Sequence, residues 1–299
     1  MHVKTWLKRT LFIGGGLVVL AGAALVVGAQ LGERKMARRI EVAVAPVAYR
    51  TDAEGVARGD YLFRSRGCGD CHGANGAGRV VVEDGQGMLV RAPNITRGEG
   101  GVVAAYGPVD WVRTIRHGLK PDGRPAMIMP SEEYNRLTDA DVSALVAYIR
   151  QLAPVRGEGA LVQLPLPVKA LYAFGQVLDA AEKIDHRLPP ATPVAEGVTA
   201  AHGAYVASTC IGCHRADLVG GKIAGAPPSW PPAARLVPGE GNVMPRYPTE
   251  ASFASMLKTG KRPDGSEVSK VMPFVSLREM SEVDVRALYL YLQGLRAPA

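Results

Sequence analysis

The chain has 299 residues, 47% of them hydrophobic, which is enough for two ordinary domains and excludes global disorder. Only 6% are aromatic, beside 35 Gly and 22 Pro, a mix that points to small, loop-rich domains built around something besides their own side chains. Nearly all of the formal net charge of +7 sits between Met1 and Ile40, where seven basic side chains face one acidic, Glu33; the remainder is close to neutral, so a nucleic-acid partner loses its support.

Leu11 to Ala29 is a continuous run without a charge. As a helix it spans about 28 Å, close to the hydrocarbon thickness of a bilayer. A secretory signal core is shorter, about 7–15 residues. Residues 1–40 therefore read as a transmembrane signal anchor with basic flanks, and Val27-Gly28-Ala29 is the competing cleavage site. Charge alone does not orient it, because Lys4, Lys8 and Arg9 precede the run and Arg34, Lys35, Arg38 and Arg39 follow it.

All four cysteines fall in two copies of one pattern, Cys68-Gly69-Asp70-Cys71-His72 and Cys210-Ile211-Gly212-Cys213-His214. Cys-x-x-Cys-His is the attachment signature of c-type haem. Two thiols bond one haem covalently, and the adjoining histidine becomes the proximal iron ligand. A thioredoxin-like pair or half of a zinc site fits less well. The two pairs lie far apart, from Cys71 to Cys210, neither is in a strand-to-helix context, and each is followed by His. The expected cofactors are two covalently bound haems, on Cys68 and Cys71 and on Cys210 and Cys213. Their attachment on the outer side of the membrane settles the orientation: N-terminus in the cytoplasm, haem domains in the periplasm, one pass through the bacterial inner membrane.

The motif belongs to a longer repeat. Cys68, Trp111, Gly118 and Pro121-Asp122-Gly123 recur at one constant offset as Cys210, Phe253, Gly260 and Pro263-Asp264-Gly265. Gly59-x-Tyr61 recurs as Gly203-x-Tyr205, and Asp141-Val142 as Asp284-Val285. The spacing predicts a mostly α protein: a tandem pair of helical domains over 49–155 and 196–299, after the N-terminal helix. Middle helices are expected over Pro108–His117 and Thr249–Thr259, each stopped by a glycine. Final helices are expected after the capping patterns Thr138-Asp139-Ala140-Asp141 and Ser281-Glu282-Val283-Asp284. Gly59 and Gly203 are placed to let an early helix approach the final one closely. Residues 156–195 match neither copy and read as a Pro-rich linker carrying a short apolar helix, expected to pack on a haem domain, with a membrane or partner contact as the alternative.

A haem that only carries electrons has a second protein ligand, and a Met thioether raises its potential. The repeat selects Met129, in Met129-Pro130, and Met272, in Met272-Pro273; they follow His72 and His214 at nearly the same spacing. Met127 and Met244 are the competitors, and Met244-Pro245 has no counterpart in the first copy. The expected iron ligands are thus His72 with Met129 and His214 with Met272. His117 and His202 read as surface or loop residues.

Each copy resembles a class I-type cytochrome c domain. The chain as a whole resembles the cytochrome c subunits of bacterial membrane-bound alcohol, gluconate and related sugar dehydrogenases. The residues that carry this are Ala92-Pro93-Asn94-Ile95-Thr96, Pro121-Asp122-Gly123-Arg124, Met129-Pro130, Leu137-Thr138-Asp139-Ala140-Asp141, Met272-Pro273-Phe274 and Ala287-Leu288-Tyr289-Leu290-Tyr291. Those subunits commonly carry three haem motifs, and this chain has two. The resemblance implies a redox protein rather than an enzyme, passing electrons from a membrane dehydrogenase or quinol-oxidising complex to a cytochrome or terminal oxidase. The alternative is a dihaem enzyme such as a thiosulfate dehydrogenase or peroxidase. It needs an iron with an open site, and no catalytic constellation stands out.

Overall fold

The computed structural model describes residues 2–223, 226–227 and 229–297. The first helix, α1, runs without a break from His2 to Ala37, beyond the end of the uncharged run, and closes on Arg34 and Lys35, which suit the negative end of its dipole. Its apolar stretch is long enough to cross a membrane and is almost wholly exposed, Phe12, Val18 and Val19 included.

The first copy contributes α2 (Ala53–Ser65), α3 (Cys68–His72), α4 (Pro108–His117), α5 (Ser131–Tyr134) and α6 (Asp139–Gln151). After α7 (Leu166–Ala173), the second copy contributes α8 (Ala200–Ala207), α9 (Ile211–His214), α10 (Glu250–Thr259), α11 (Phe274–Leu277) and α12 (Glu282–Gln293). The caps are those expected from sequence: the Thr138 hydroxyl accepts from the Asp141 amide, and the Ser281 hydroxyl from the Asp284 amide, each at 3.1 Å. Gly118 and Gly260 end α4 and α10 in the left-handed region, at φ 61° and 73°.

In each copy the early helix crosses the final one at the predicted glycine. A Cβ on Gly59 would overlap the Ala144 carbonyl oxygen, and one on Gly203 the Ala287 carbonyl oxygen. Backbone contact of this kind draws α2 onto α6 and α8 onto α12, and separate cores form around the two crossings. Leu62, Phe63, Trp111, Val142 and Leu145 fill the first; Val206, Phe253, Leu257, Val285 and Leu288 fill the second.

An antiparallel sheet goes beyond the helical expectation. β1 (Arg79–Glu83) and β2 (Leu89–Ala92) form a hairpin just after the first Cys-x-x-Cys-His, and β3 (Leu161–Gln163) joins from the linker. The β-branched run Val80-Val81-Val82 suits a strand, but the strand is too short to betray itself by periodicity.

The linker helix corrects a second expectation, since α7 packs on α1 rather than on a haem domain. Gly28 and Gly32 allow it: a Cβ on the first would press on Ala170, and one on the second would overlap the Lys169 carbonyl. Beyond the contact Arg38 reaches Asp179 at 2.7 Å, and Lys35 reaches Glu182 at 2.7 Å. The Ala180 amide donates to the Ala126 carbonyl at 2.9 Å, and the Ile40 amide to the Gly123 carbonyl at 2.9 Å. α1 is thereby tied to the first copy through several bonds, not through a free strand of chain.

The two copies meet through a reciprocal polar contact. Tyr61 donates to Asp284, and its repeat mate Tyr205 donates to Asp141, each at 2.6 Å. The same hydroxyls accept the cap amides of Ser281 and Thr138, at 3.1 and 3.2 Å. Arg58 pairs with Asp141 at 2.9 Å, and its repeat mate His202 contacts Asp284 through Nε2 at 2.7 Å. His202 is therefore not the surface residue expected from sequence: it is 2% exposed, because Asp284 and the α8–α12 crossing enclose it. Arg66, also buried, completes the Asp284 cluster at 2.6 Å. Burial alone would raise the Asp284 pKa, but Arg66, Tyr61 and His202 together hold it below the usual carboxylate range.

Gly59→Ala and Gly203→Ala should each destabilise the protein by about 1–3 kcal/mol through forced separation of the crossed helices; thermal unfolding measures it, and Gly159→Ala, where a Cβ meets nothing, should be near neutral.

Candidate functional site

The two Cys-x-x-Cys-His segments form short helices of nearly the same shape. In each, the histidine's Nδ1 is engaged by a backbone carbonyl: His72 with Pro93 at 2.9 Å, and His214 with Ala234 at 2.8 Å. That bond assigns the proton to Nδ1 and leaves Nε2 as the free lone pair, the arrangement a metal-ligating imidazole needs. Burial lowers both imidazole pKa values, favouring the neutral form that ligates. The four cysteines are not disulfide-bonded, and burial pushes the Cys68 and Cys210 thiols up to about 12.

The backbone after the histidine differs in one respect. Gly73 takes φ 75°, ψ 157°, a region that glycine alone occupies readily; its counterpart Arg215 takes φ 68°, ψ 162°. Further on, Gly76 at φ 73° is matched by Leu218 at φ 55°. The second copy thus holds strained side-chain residues where the first has glycines. Arg215→Gly should raise the stability of the second copy by about 1–3 kcal/mol, read as an upward shift of the denaturation midpoint, whereas Gly73→Arg should lower that of the first.

Met129 and Met272 occupy equivalent places. Each is followed by a proline at the centre of an inverse γ-turn, Pro130 at φ −79°, ψ 58° and Pro273 at φ −80°, ψ 68°. The Ser131 and Phe274 amides close these turns on the Met129 and Met272 carbonyls, at 2.8 and 2.9 Å. Both thioethers are part-buried at the edge of their cores. The competitors are placed differently: Met244 is 3% exposed within the second core, and Met127 has no structural mate in the second copy.

A c-type haem fits these residues. Two unpaired thiols, a neutral imidazole with a free Nε2, and a part-buried thioether recur in each copy with the same backbone supports. In the first copy the Trp111 indole N–H is buried without a partner, a donor awaiting an acceptor such as a haem carboxylate. Among the described residues, no group of three or more His, Cys, Asp or Glu gathers as an ordinary metal site, so the zinc alternative gains nothing.

Sequence reasoning missed what surrounds the motifs. The short helix after each Met-Pro leans on the opposite copy's Cys-x-x-Cys-His: α5 on α9, and α11 on α3. Ser276 of α11 donates to Asp70 at 2.7 Å. At the equivalent place Glu133 of α5 fills the space where Gly212 would carry a Cβ. Burial, and then Glu132, push the Glu133 pKa up to about 8, against Lys183 and the Gly212 amide. His117 also departs from expectation: it is buried at the end of α4, its Nδ1 3.0 Å from that of His186. Burial and His186 lower its pKa to about 4.

Because the Glu133 pKa is raised on folding, its neutral form is the stabilising one. Its contribution is complete below 4.5 and is lost as pH rises through about 8. Glu133→Gln should remove that loss, measured as denaturant stability on either side of the range.

A family model described as cytochrome c matches residues 56–153 and 198–296, well over half of the chain. Similar curated proteins include the cytochrome subunit of fructose dehydrogenase from Gluconobacter japonicus, 34% identical over 129 residues, covering 40% of this chain and 26% of that one. The cytochrome c subunit of a quinone alcohol dehydrogenase from Gluconacetobacter polyoxogenes is 33% identical over 115 residues, 36% of this chain and 24% of that one. The cytochrome c subunit of gluconate 2-dehydrogenase from Pantoea cypripedii is 32% identical over 121 residues, 38% of this chain and 27% of that one. The chain thus spans about a quarter of the length of the relatives it matches.

Proposed function

Because the chain belongs to the cytochrome c family, we propose that it passes electrons between redox proteins at the outer face of a bacterial cytoplasmic membrane, through two covalently held haems. Family membership and relatives named as dehydrogenase cytochrome subunits support the electron-transfer role. The observation that carries the two-site reading is the matched pair of histidines, each oriented by a carbonyl and each followed by a matched Met-Pro turn.

In this reading Cys68 and Cys71 hold one haem and Cys210 and Cys213 the other. His72 with Met129, and His214 with Met272, would hold the two irons. Bound haem supplies a one-electron iron couple whose potential is set by its ligands and burial. The chain's own residues do the rest. Pro93 and Ala234 fix the imidazoles, the two Met-Pro turns present the thioethers, and the Trp111 N–H offers a donor inside the first copy. The reciprocal Tyr–Asp contact keeps the two sites at a common interface, so electrons enter at one copy and leave from the other. The α1 helix crosses the membrane once, with its N-terminus in the cytoplasm and the haem domains in the periplasm. The donor is a membrane dehydrogenase of the type named among the relatives, or a quinol-oxidising complex; the acceptor is a cytochrome or terminal oxidase.

The purified chain should carry two haems that resist acid-acetone extraction, and Cys210→Ala with Cys213→Ala should halve the pyridine haemochrome signal. Met129→Ala or Met272→Ala should open one iron to carbon monoxide and lower its potential. An unchanged spectrum for Met272→Ala, with a changed one for Met244→Ala, would move the ligand assignment. The reduced protein should exchange rapidly with oxidised cytochromes and turn over neither thiosulfate nor peroxide; sustained turnover of either would make it an enzyme.

A further inference from the structure

Where α1 emerges from its packing against the rest of the chain, the neighbouring surface is apolar and uncovered. On α7 and its C-cap, Pro167, Leu171 and Phe174 lie at i, i+4 and i+7, one stripe of the helix, and all three are exposed. Leu171 is 48% exposed and Phe174 67%, more than a core-packing role explains. The far side of α7 is occupied: Lys169 lies against Gly32 and Tyr172 is fully buried, while Ala170, one turn before Phe174, lies against Gly28 at the edge of the stripe. The exposed stripe adjoins α1 itself, where the Phe174 ring lies beside Gly28 and Val27 and Leu31 are also exposed.

We propose that α7 is a second membrane contact, its Leu171–Phe174 stripe lying in the interfacial layer of the bilayer from which α1 emerges. This inference rests on the reading of α1 as a membrane span. Three observations select lipid as the occupant. The stripe is continuous with the exposed apolar surface of α1, so one medium wets both. The exposed Arg34 lies near the end of α1 and the exposed Arg39 just beyond it, placed to meet anionic headgroups where the helix leaves the membrane, while Lys35 and Arg38 are turned inward to Glu182 and Asp179. The stripe is narrow, and the eight-residue α7 is too short to cross a membrane by itself, so contact with lipid would be confined to the interfacial layer beside α1. Through Asp179, Ala180 and the Ala126 carbonyl, a seated α7 would hold the first copy at a fixed attitude to the membrane.

The test uses the full haem-loaded chain in vesicles containing a phospholipid with a photoactivatable diazirine on its acyl chain, with lipid adducts mapped by mass spectrometry. Adducts are expected on the α1 peptide and on the peptide bearing Leu171 and Phe174. Leu171→Glu with Phe174→Glu should abolish the α7 adducts and leave those on α1, with haem content unchanged. Labelled α1 with unlabelled α7 in the unsubstituted chain would overturn the inference and leave the anchor standing. No label on either would overturn both. Equal labelling around Val275, an exposed apolar residue of the second copy, would show indiscriminate reaction and also overturn it.

Discussion

Two aspartates at the start of the final helices hold the arrangement together. Asp141 and Asp284 each sit in the first turn of their own helix, where the dipole favours a carboxylate, and each accepts from the tyrosine of the other copy. The tyrosine hydroxyl, having donated, accepts the amide at the opposite cap. The carboxylates, the tyrosine hydroxyls and the cap amides of this small circuit all have partners, which lowers the desolvation cost of burying them. From it follow the approach of the two copies, the lean of α5 on α9 and of α11 on α3, and the common interface of the two Cys-x-x-Cys-His segments.

Around that shared frame the copies have diverged. Arg58 in one is His202 in the other, and the second Asp cluster is deeper and carries an additional cation, Arg66. Among the described residues only the first copy carries the β1–β2 hairpin, which β3 joins from the linker whose α7 also meets α1. Its glycines at 73 and 76 relax turns that the second copy makes with Arg215 and Leu218. Leu218 is buried in the second core, and that burial offsets part of its backbone strain. Arg215 is exposed, and its solvent-exposed ion pair with Asp217 at 3.2 Å offsets little of the same cost.

Much of this was legible in the chain because it was written twice. Repetition matched Met129-Pro130 with Met272-Pro273, whose turns take the same shape, located both final helices by their caps, and gave Gly59 and Gly203 a joint meaning as crossing points. What occurred once was harder to read. The sheet depends on a very short strand recruited from beyond α6. The docking of α7 on α1 depends on Gly28 and Gly32, which look like ordinary membrane-helix glycines until their partner is seen. His202 passed for a surface residue because its partner, Asp284, lies 82 positions away and at the far end of the copy.

The lean of each Met-Pro helix on the opposite motif has an evolutionary consequence. The two middle residues of a Cys-x-x-Cys-His segment bind nothing themselves, and in an isolated domain they would drift freely. Here position 70 answers to Ser276, and a side chain at position 212 would have to displace the Glu133 carboxylate that stands over it. One carboxylate occupies each of the two equivalent places, supplied by the motif on one side and by the opposing helix on the other. Drift at either motif is therefore coupled to a residue in the other half of the chain, and neither half can be exchanged for a relative's without bringing its counterpart along.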